Sequence, residues 1–498
     1  MRPAATSLRM YGPAGGSSCH DRRIAAWELS CRSFRYLLPT ALCALVSGTG
    51  FLPVSAQESA QKLTLEQAFQ IALKQHPSLK RVEAQVGAAD ARVREAQAGW
   101  MPTLVLQGTA TDGPSGAPAF GPIGIPANYG APPLSVEGLA GDPLKKQFGG
   151  GLTVTQTLFD FGRTEHLVAA RTELLRAAEE DAETQKALVL LLVQQAYLNV
   201  LRAQQLAEVQ QENVRRRETT VSQAQLLVAG QLKPGVDLQL AQADAADANV
   251  GLIAAQNEVS YAYADLNNAM GATSLTTYQL EPVASVMLAQ TTPPGTFEDA
   301  IQRARARRPE LKSAVLQREA ADQSVRGVRS ELLPRFDAIA SVGVVNPSSL
   351  IKNSKNYAVG LAVSIPLYTG GIVEGRIAEE QKKRDAILAQ EQEVFEAIKL
   401  QVSRAWLDVQ TNEAQVKAAQ AQATYADSSL QLASERYRLQ LNTLVELTEA
   451  EALAVRARAQ LVNAQYGLDV ARATLDWAIG ETYQKYARPA GTRMGGKA

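Results

Sequence analysis

The chain says the same thing twice. "HPSLK" at His76 to Lys80 returns as "RPELK" at Arg308 to Lys312, 232 residues later. The echo extends outward at that offset: Ala68 meets Ala300, Ala72 meets Ala304, Val93 meets Val325, and Pro102 meets Pro334. Beyond this stretch the offset becomes 209 and holds, so that Gly162 meets Gly371, Ala196-Tyr197-Leu198 meets Ala405-Trp406-Leu407, and Gly271 meets Gly480. A period this long is a duplicated domain and not a short-repeat solenoid. Whatever one unit of about 210 residues folds into, the chain must build twice. The first copy carries 23 extra residues between Pro102 and Leu158. The plan that follows is a presequence at 1–56, a first copy at 57–271, a linker at 272–294, a second copy at 295–480 and a loose polar tail at 481–498.

Each copy has one grammar. It opens with an Ala-rich segment of helical period, with Leu65, Phe69, Ala72 and Leu73 in the first copy and Phe297, Ile301 and Ala304 in the second. This segment ends at Pro102 or Pro334, where a helix must stop. Two stretches of period two follow, at about 102–111 and 149–159 and again at about 335–345 and 357–368, predicting four strands of about ten residues in two hairpins. In "YAVGLAVSIPLY", Tyr357, Val359, Leu361, Val363, Ile365 and Leu367 face one way, and Ala358, Gly360, Ala362 and Ser364 face the other. Very long helices come last. A helix from about Thr164 to Ala229 would be ~100 Å long at 1.5 Å per residue. "GQLKPGVD" (Gly230 to Asp237) breaks it and a second helix returns to Gly271; the second copy does the same with a milder break at Leu439 to Leu444. Ala241, Ala245, Ala248 and Ala255 make a small-residue face that lets helices approach closely.

Lys plus Arg equals Asp plus Glu at 50 each, which gives no electrostatic reason to bind nucleic acid. The stretch Tyr36 to Gln57 is apolar, follows six Arg, and ends in Val54-Ser55-Ala56, a secretory cleavage pattern. A membrane anchor and a lipoprotein at Cys43 are the other readings of this segment. Cys19, Cys31 and Cys43 all precede the cleavage point, so the mature chain has no thiol and a net charge of −4. No metal cluster, nucleophile–base set or phosphate loop is legible, and no cofactor or enzymatic chemistry is expected. His76 before its Pro and His166 at a helix start read as structural.

Strands with one apolar and one small-polar face suit a membrane barrel, where lipid covers the outside. A small soluble sandwich is the other reading. Four strands cannot close a barrel, and an open edge in lipid leaves backbone groups unpaired at several kcal/mol each. Strands in a membrane must therefore be pooled with those of other copies.

The ordered set "ALKQHPSLK", "VTQTLFDFGR", "VSIPLYTGG" and "SERYRLQLNTLVELTEA", with helix–hairpin–long helix–turn–helix twice over, resembles the TolC-like outer-membrane efflux proteins from Leu63 to about Gly480. The resemblance implies a mainly α fold with a β-barrel part: a long coiled-coil α-helical barrel plus a transmembrane β-barrel with four strands per chain, closed by trimerisation. It implies an exit duct of a tripartite efflux or type I secretion system, located in the outer membrane with its helices in the periplasm. Its expected partners are two further copies, outer-membrane lipid, a periplasmic adaptor (membrane fusion) protein and an inner-membrane pump, and no nucleic acid. A periplasmic coiled-coil scaffold that never enters the membrane is the alternative.

The resemblance also assigns residues. Glu446 and Glu449 match the acidic positions that point into the narrow periplasmic end; without it they read as a solvated helix face. Tyr437 matches a tyrosine that helps hold the tip shut, and Asp237 is its acidic partner. Asn442 stands where that family has an arginine, which implies a weaker latch. Trp100 and Tyr368 flank strand ends, as membrane-interface anchors or as ordinary packing.

Overall fold

A computed structural model of the chain describes residues 62–112, 146–272, 276–282, 294–346 and 354–482. The presequence with its cysteines, the 23-residue insertion, much of the linker and the tail beyond 482 lie outside the described residues.

The structure is mainly helical with a small β part, and the duplication is visible in its dimensions. The first copy runs β1 (Lys62–Leu63), α1 (Leu65–Gln75), α2 (Pro77–Gln97), β2 (Thr103–Asp112), β3 (Lys146–Phe159), α3 (Arg163–Ala229) and α4 (Gly235–Met270). After β4 (Gln279–Leu280), the second runs α5 (Phe297–Arg307), α6 (Pro309–Arg329), β5 (Arg335–Asn346), β6 (Ser354–Ser364), α7 (Ile372–Arg438) and α8 (Leu444–Ala478). α1 and α5 are both 11 residues, α2 and α6 both 21, and α3 and α7 both 67.

Helix boundaries are set by matched chemistry. Thr64 and Thr296 cap the first helix of each copy with their hydroxyls. Pro77 and Pro309 occupy first-turn positions, where the missing N–H costs nothing. His76 ends α1 and starts α2: its Nδ1 accepts from the Ser78 N–H at 3.2 Å, and burial pushes its pKa down, which keeps that nitrogen free to accept. Left-handed Gly162 and Gly371 turn strand into long helix. Asp160 then caps α3 through the Thr164 N–H at 2.9 Å.

The two helix-to-helix turns are the same turn. Gln231 and Gln440, 209 apart, are both left-handed. Leu232 N–H donates to the Leu227 carbonyl at 2.9 Å, and Leu441 N–H to the Arg436 carbonyl at 2.8 Å. The second break is therefore no milder than the first. The left-handed Gln and the back-bonded carbonyl define it, and the Pro and Gly that mark the first turn are not required.

β2, β3, β5 and β6 form one antiparallel sheet in that order, joining the two hairpins through β3 and β5. β6 starts at Ser354 and stops at Ser364, short of the expected Tyr368, because Pro366 has no N–H to continue the ladder. Near the sheet, α3 packs between α2 and α6, and α6 packs on α7; farther away α3 packs between α4 and α8, and α8 on α7. α3 thus belongs to both halves of the wall. Three apolar clusters hold it together: one around Tyr197 and the α1 helix, one around Ile398 and α5, and an alanine-rich one near the turns that includes Ala241 and Ala454.

Two short pieces of structure lie where the sequence reading named none. The linker supplies β4, which pairs in parallel with β1, and the Tyr197 hydroxyl is shared between the Leu63 and Glu281 carbonyls at 2.9 and 2.7 Å. Glu481 and Thr482, at the start of the expected loose tail, are helical. Glu481 accepts from Arg303 and Arg307 of α5, and Thr482 is buried.

The copies share one more joint. A Cβ on left-handed Gly271 would stand 2.8 Å from the Cα of His76, and one on left-handed Gly480 would stand 3.0 Å from the Cβ of Arg307. Each return helix therefore ends by pressing a glycine on the residues that precede the Pro. Gly271→Ala is expected to cost about 1–3 kcal/mol, read as a lower thermal midpoint of the detergent-solubilised protein. Gly375→Ala, which meets open space inside α7, should be neutral or stabilising by up to ~1 kcal/mol. Equal midpoints for the two variants would remove this joint from the account.

Candidate functional site

Two regions depart from what a water-soluble fold would show, and they lie at opposite ends of α3 and α7. The first is the sheet. Its register puts Leu104, Val154, Ala340 and Val359 in one row and Leu106, Leu152, Val342 and Tyr357 in the next. These rows form a continuous apolar face that no other described element covers: Leu106 is 79 % exposed and Val359 82 %. On the other face, Val105, Thr153, Ser341 and Ala358 align, as do Gln107, Gly151, Gly343 and Asn356. On that face Asp337, Ile339 and Ser341 are buried. The usual arrangement of apolar inside and polar outside is reversed. β2 and β6 are edges with unpaired backbone groups on their outer sides. Tyr368, just past β6, is 90 % exposed, while Trp100 is half-buried beneath β2. No described helix is long and apolar enough to cross a membrane.

The second region is the pair of turns. Tyr437, in the last turn of α7, is fully buried with its hydroxyl unbonded among the described residues. Burial pushes its phenol pKa up, and the nearby charge of Asp237 adds to the effect. Tyr437 and Asp237 are therefore neighbours within one chain, without a hydrogen bond between them. Asn442 is buried and turned back on its own helix: its Nδ2 donates to the Ala433 carbonyl at 3.2 Å. A cation reaches this cluster from the other turn. Lys233 donates to the Asn442 carbonyl at 3.3 Å and lies 5.7 Å from the centre of the Tyr437 ring. Lys233 and Asn442 are 209 residues apart, so the duplication itself pairs the two positions.

Glu446 and Glu449 are both exposed on the first turns of α8. Glu446 also serves the helix start: its N–H donates to the Thr443 hydroxyl at 3.3 Å, and that hydroxyl donates to its carboxylate at 3.3 Å. Glu449 has no such task. The structure brings Asp237 and Lys233 to Tyr437 and joins Lys233 to Asn442, and leaves the two glutamates exposed on α8.

One group at this end was not singled out from sequence. Arg217 of α3 and Glu451 of α8 form a buried ion pair at 2.9 Å. Arg217 also reaches Asp244 of α4 at 3.2 Å, and Thr220 donates to Glu451 at 2.8 Å. The network ties the hairpin of the first copy to the return helix of the second. The only sequence signal was a run of three arginines at 215–217, which reads equally well as a solvated face. Among the described residues no group of three or more His, Cys, Asp or Glu could hold a metal, and His166 is occupied with Gln323 at 2.9 Å.

Burial pushes the Glu451 carboxyl up, with Thr220 and Arg217 partly opposing it. A carboxyl raised in the folded state favours folding in acid, and that contribution is lost as pH rises through its folded pKa. Arg217→Gln would strand the carboxylate, at a cost of about 3–5 kcal/mol at neutral pH. The loss should shrink below the ordinary carboxylate range of about pH 4.3, where Glu451 is neutral in both states. Chemical denaturation at both pH values checks this; a loss independent of pH would exclude charge stranding as its cause.

Comparison with known proteins gives a consistent picture. The model of the family described as outer membrane efflux protein matches residues 68–272 and 300–481, one segment in each copy. The outer membrane protein TolC of Escherichia coli (strain K12) is 23% identical over 454 residues, covering 87% of this chain and 85% of its own. The outer membrane efflux protein BepC of Brucella suis biovar 1 (strain 1330) is 23% identical over 332 residues, covering 66% of this chain and 71% of its own. Among solved structures, CusC superposes with a TM-score of 0.70 at 18% identity, covering 84% of this chain and 92% of its own.

Proposed function

This chain belongs to the outer membrane efflux protein family, and on that premise we propose that it is a passive exit duct of the outer membrane, gated at its periplasmic end. The observation that carries the reading is the inverted sheet: an aliphatic outer face with two open edges, mounted on helices of ~100 Å. The edges β2 and β6 ask for identical partners, and three copies would give a barrel of twelve strands, inside the range that bacterial barrels occupy. The long helices then extend into the periplasm, where an adaptor protein and an inner-membrane pump meet the turns. Energy comes from the pump, and the chain itself catalyses nothing.

The turns are the natural gate. Glu446 and Glu449, repeated by symmetry, form carboxylate rings that favour cations. Lys233, Tyr437, Asn442 and Asp237 form the latch, with Lys233 supplying the charge that Asn442 lacks. The Arg217–Glu451 pair holds the neighbouring seam.

In planar bilayers the purified protein should form cation-selective channels, and Glu446→Gln with Glu449→Gln should reduce that selectivity several-fold. Lys233→Met removes the contact to Asn442, worth ~1 kcal/mol, and should raise the open fraction about fivefold. Unchanged selectivity in the double variant would remove the two glutamates from the pore. A protein released from membranes by alkali alone, and forming no channels, would favour a periplasmic scaffold.

A further inference from the structure

The described wall holds a cavity of about 790 Å³ between α3, α4 and α8, near the middle of the molecule and away from both the sheet and the turns. Its floor is Leu198, 1 % exposed. Its walls carry Arg202 and Asn199 from α3, Asp265 and Asn268 from α4, and Asn463 and Tyr466 from α8. These side chains converge from three helices of both copies, yet they do not satisfy one another. The Arg202 Nε is buried and has no hydrogen-bond partner among the described residues. Arg202 and Asp265 line the same cavity with opposite charges, and neither forms an ion pair among the described residues.

A buried guanidinium nitrogen without a partner carries a desolvation cost of about 1–3 kcal/mol or more, so the fold gains nothing by placing it there. The duplication supplies a control for that statement. The same helix pair is built 209 residues later, as α7 and α8, where Arg202 is replaced by Thr411, Asp265 by Thr474 and Asn268 by Trp477. The architecture stands without the two charges, so packing does not require them.

We propose that this cavity is a binding site for a small zwitterion, a molecule carrying a carboxylate and an ammonium group. The guanidinium fork of Arg202 takes the carboxylate. Asp265, on the opposite helix, takes the ammonium. Asn199, Asn268, Asn463 and the Tyr466 hydroxyl are left for neutral polar groups, and Leu198 offers an apolar floor. The volume lies in the range of small-molecule pockets. The site goes beyond the duct reading: it names a class of solute, and its occupancy does not depend on conduction.

Three probes with one skeleton test it: phenylalanine with both charges, 3-phenylpropanoate with the anion only, and phenethylamine with the cation only. Calorimetry on the detergent-solubilised full chain reads binding whether or not the protein forms channels, so this inference and the duct reading fail separately. Phenylalanine should bind with a Kd on the order of 1 mM, and the other two at least about tenfold more weakly. Arg202→Gln should reduce phenylalanine to the level of phenethylamine, and Asp265→Asn to that of phenylpropanoate. Arg202→Lys, which keeps the charge and loses the fork, should fall between. No binding of phenylalanine, equal binding of the three probes to the unmodified chain, or indifference to either substitution would overturn the proposal. The probe series on the unmodified chain decides the matter even if a variant fails to fold.

Discussion

A β-strand edge is a row of unpaired N–H and C=O groups, and hydrocarbon offers them nothing. Every large feature of this molecule answers to that fact. The sheet exposes its aliphatic side chains, as seen at Leu106 and Val359, and so is not built for water. It also ends in β2 and β6 with no described strand beside them, and so is not built for lipid on its own. On the duct reading proposed above, the two statements are reconciled by a chain that is one sector of a larger closed wall. The helices carry the same message in weaker form. α4 and α7 expose Val250, Ile253, Tyr261, Leu407 and Leu432, apolar side chains that no described helix covers.

Duplication is the economical way to make such a sector. The capping threonines, the helix-starting prolines, the left-handed glycines at 162 and 371, and the left-handed glutamines at 231 and 440 all recur at the two offsets. What differs between the copies is where specific chemistry has been added. His76 serves as a cap, whereas Arg308 at the matching position is a buried cation. It is held by Glu310 and the Ala478 carbonyl and stacked 4.4 Å from the Trp477 ring. Tyr197 ties down the short parallel pair; Trp406, its counterpart, packs near Phe297.

Much of this was legible because it depends on periodicity and breakers, which are local. Three of the four ends of the 67-residue helices were marked almost to the residue by Gly162, Gly230 and Gly371. The alternation of β5 and β6 named the outward faces correctly. The unread parts are those that depend on partners far apart in sequence. β4 is two residues long and exists only because β1 lies beside it. The anchoring of Glu481 needs arginines 174 and 178 residues away. At the turns, Tyr437, Asn442 and Asp237 came from resemblance, and the resemblance carried no hint of Lys233, which reaches the Asn442 carbonyl from the opposite turn, 209 residues away. The Arg217–Glu451 pair spans the boundary between copies and leaves no trace in either copy alone.

That last pair breaks the symmetry that the duplication otherwise preserves. Moved by 209 residues, Arg217 becomes Ala426, Asp244 becomes Leu453, and the position matching Glu451 is Gln242. The ionic clasp therefore exists within a chain and has no counterpart where one chain would meet the next. In the ring of copies proposed above, such units would set clasped and unclasped joints in alternation, and dilation would part whole subunits rather than loosen every stave evenly.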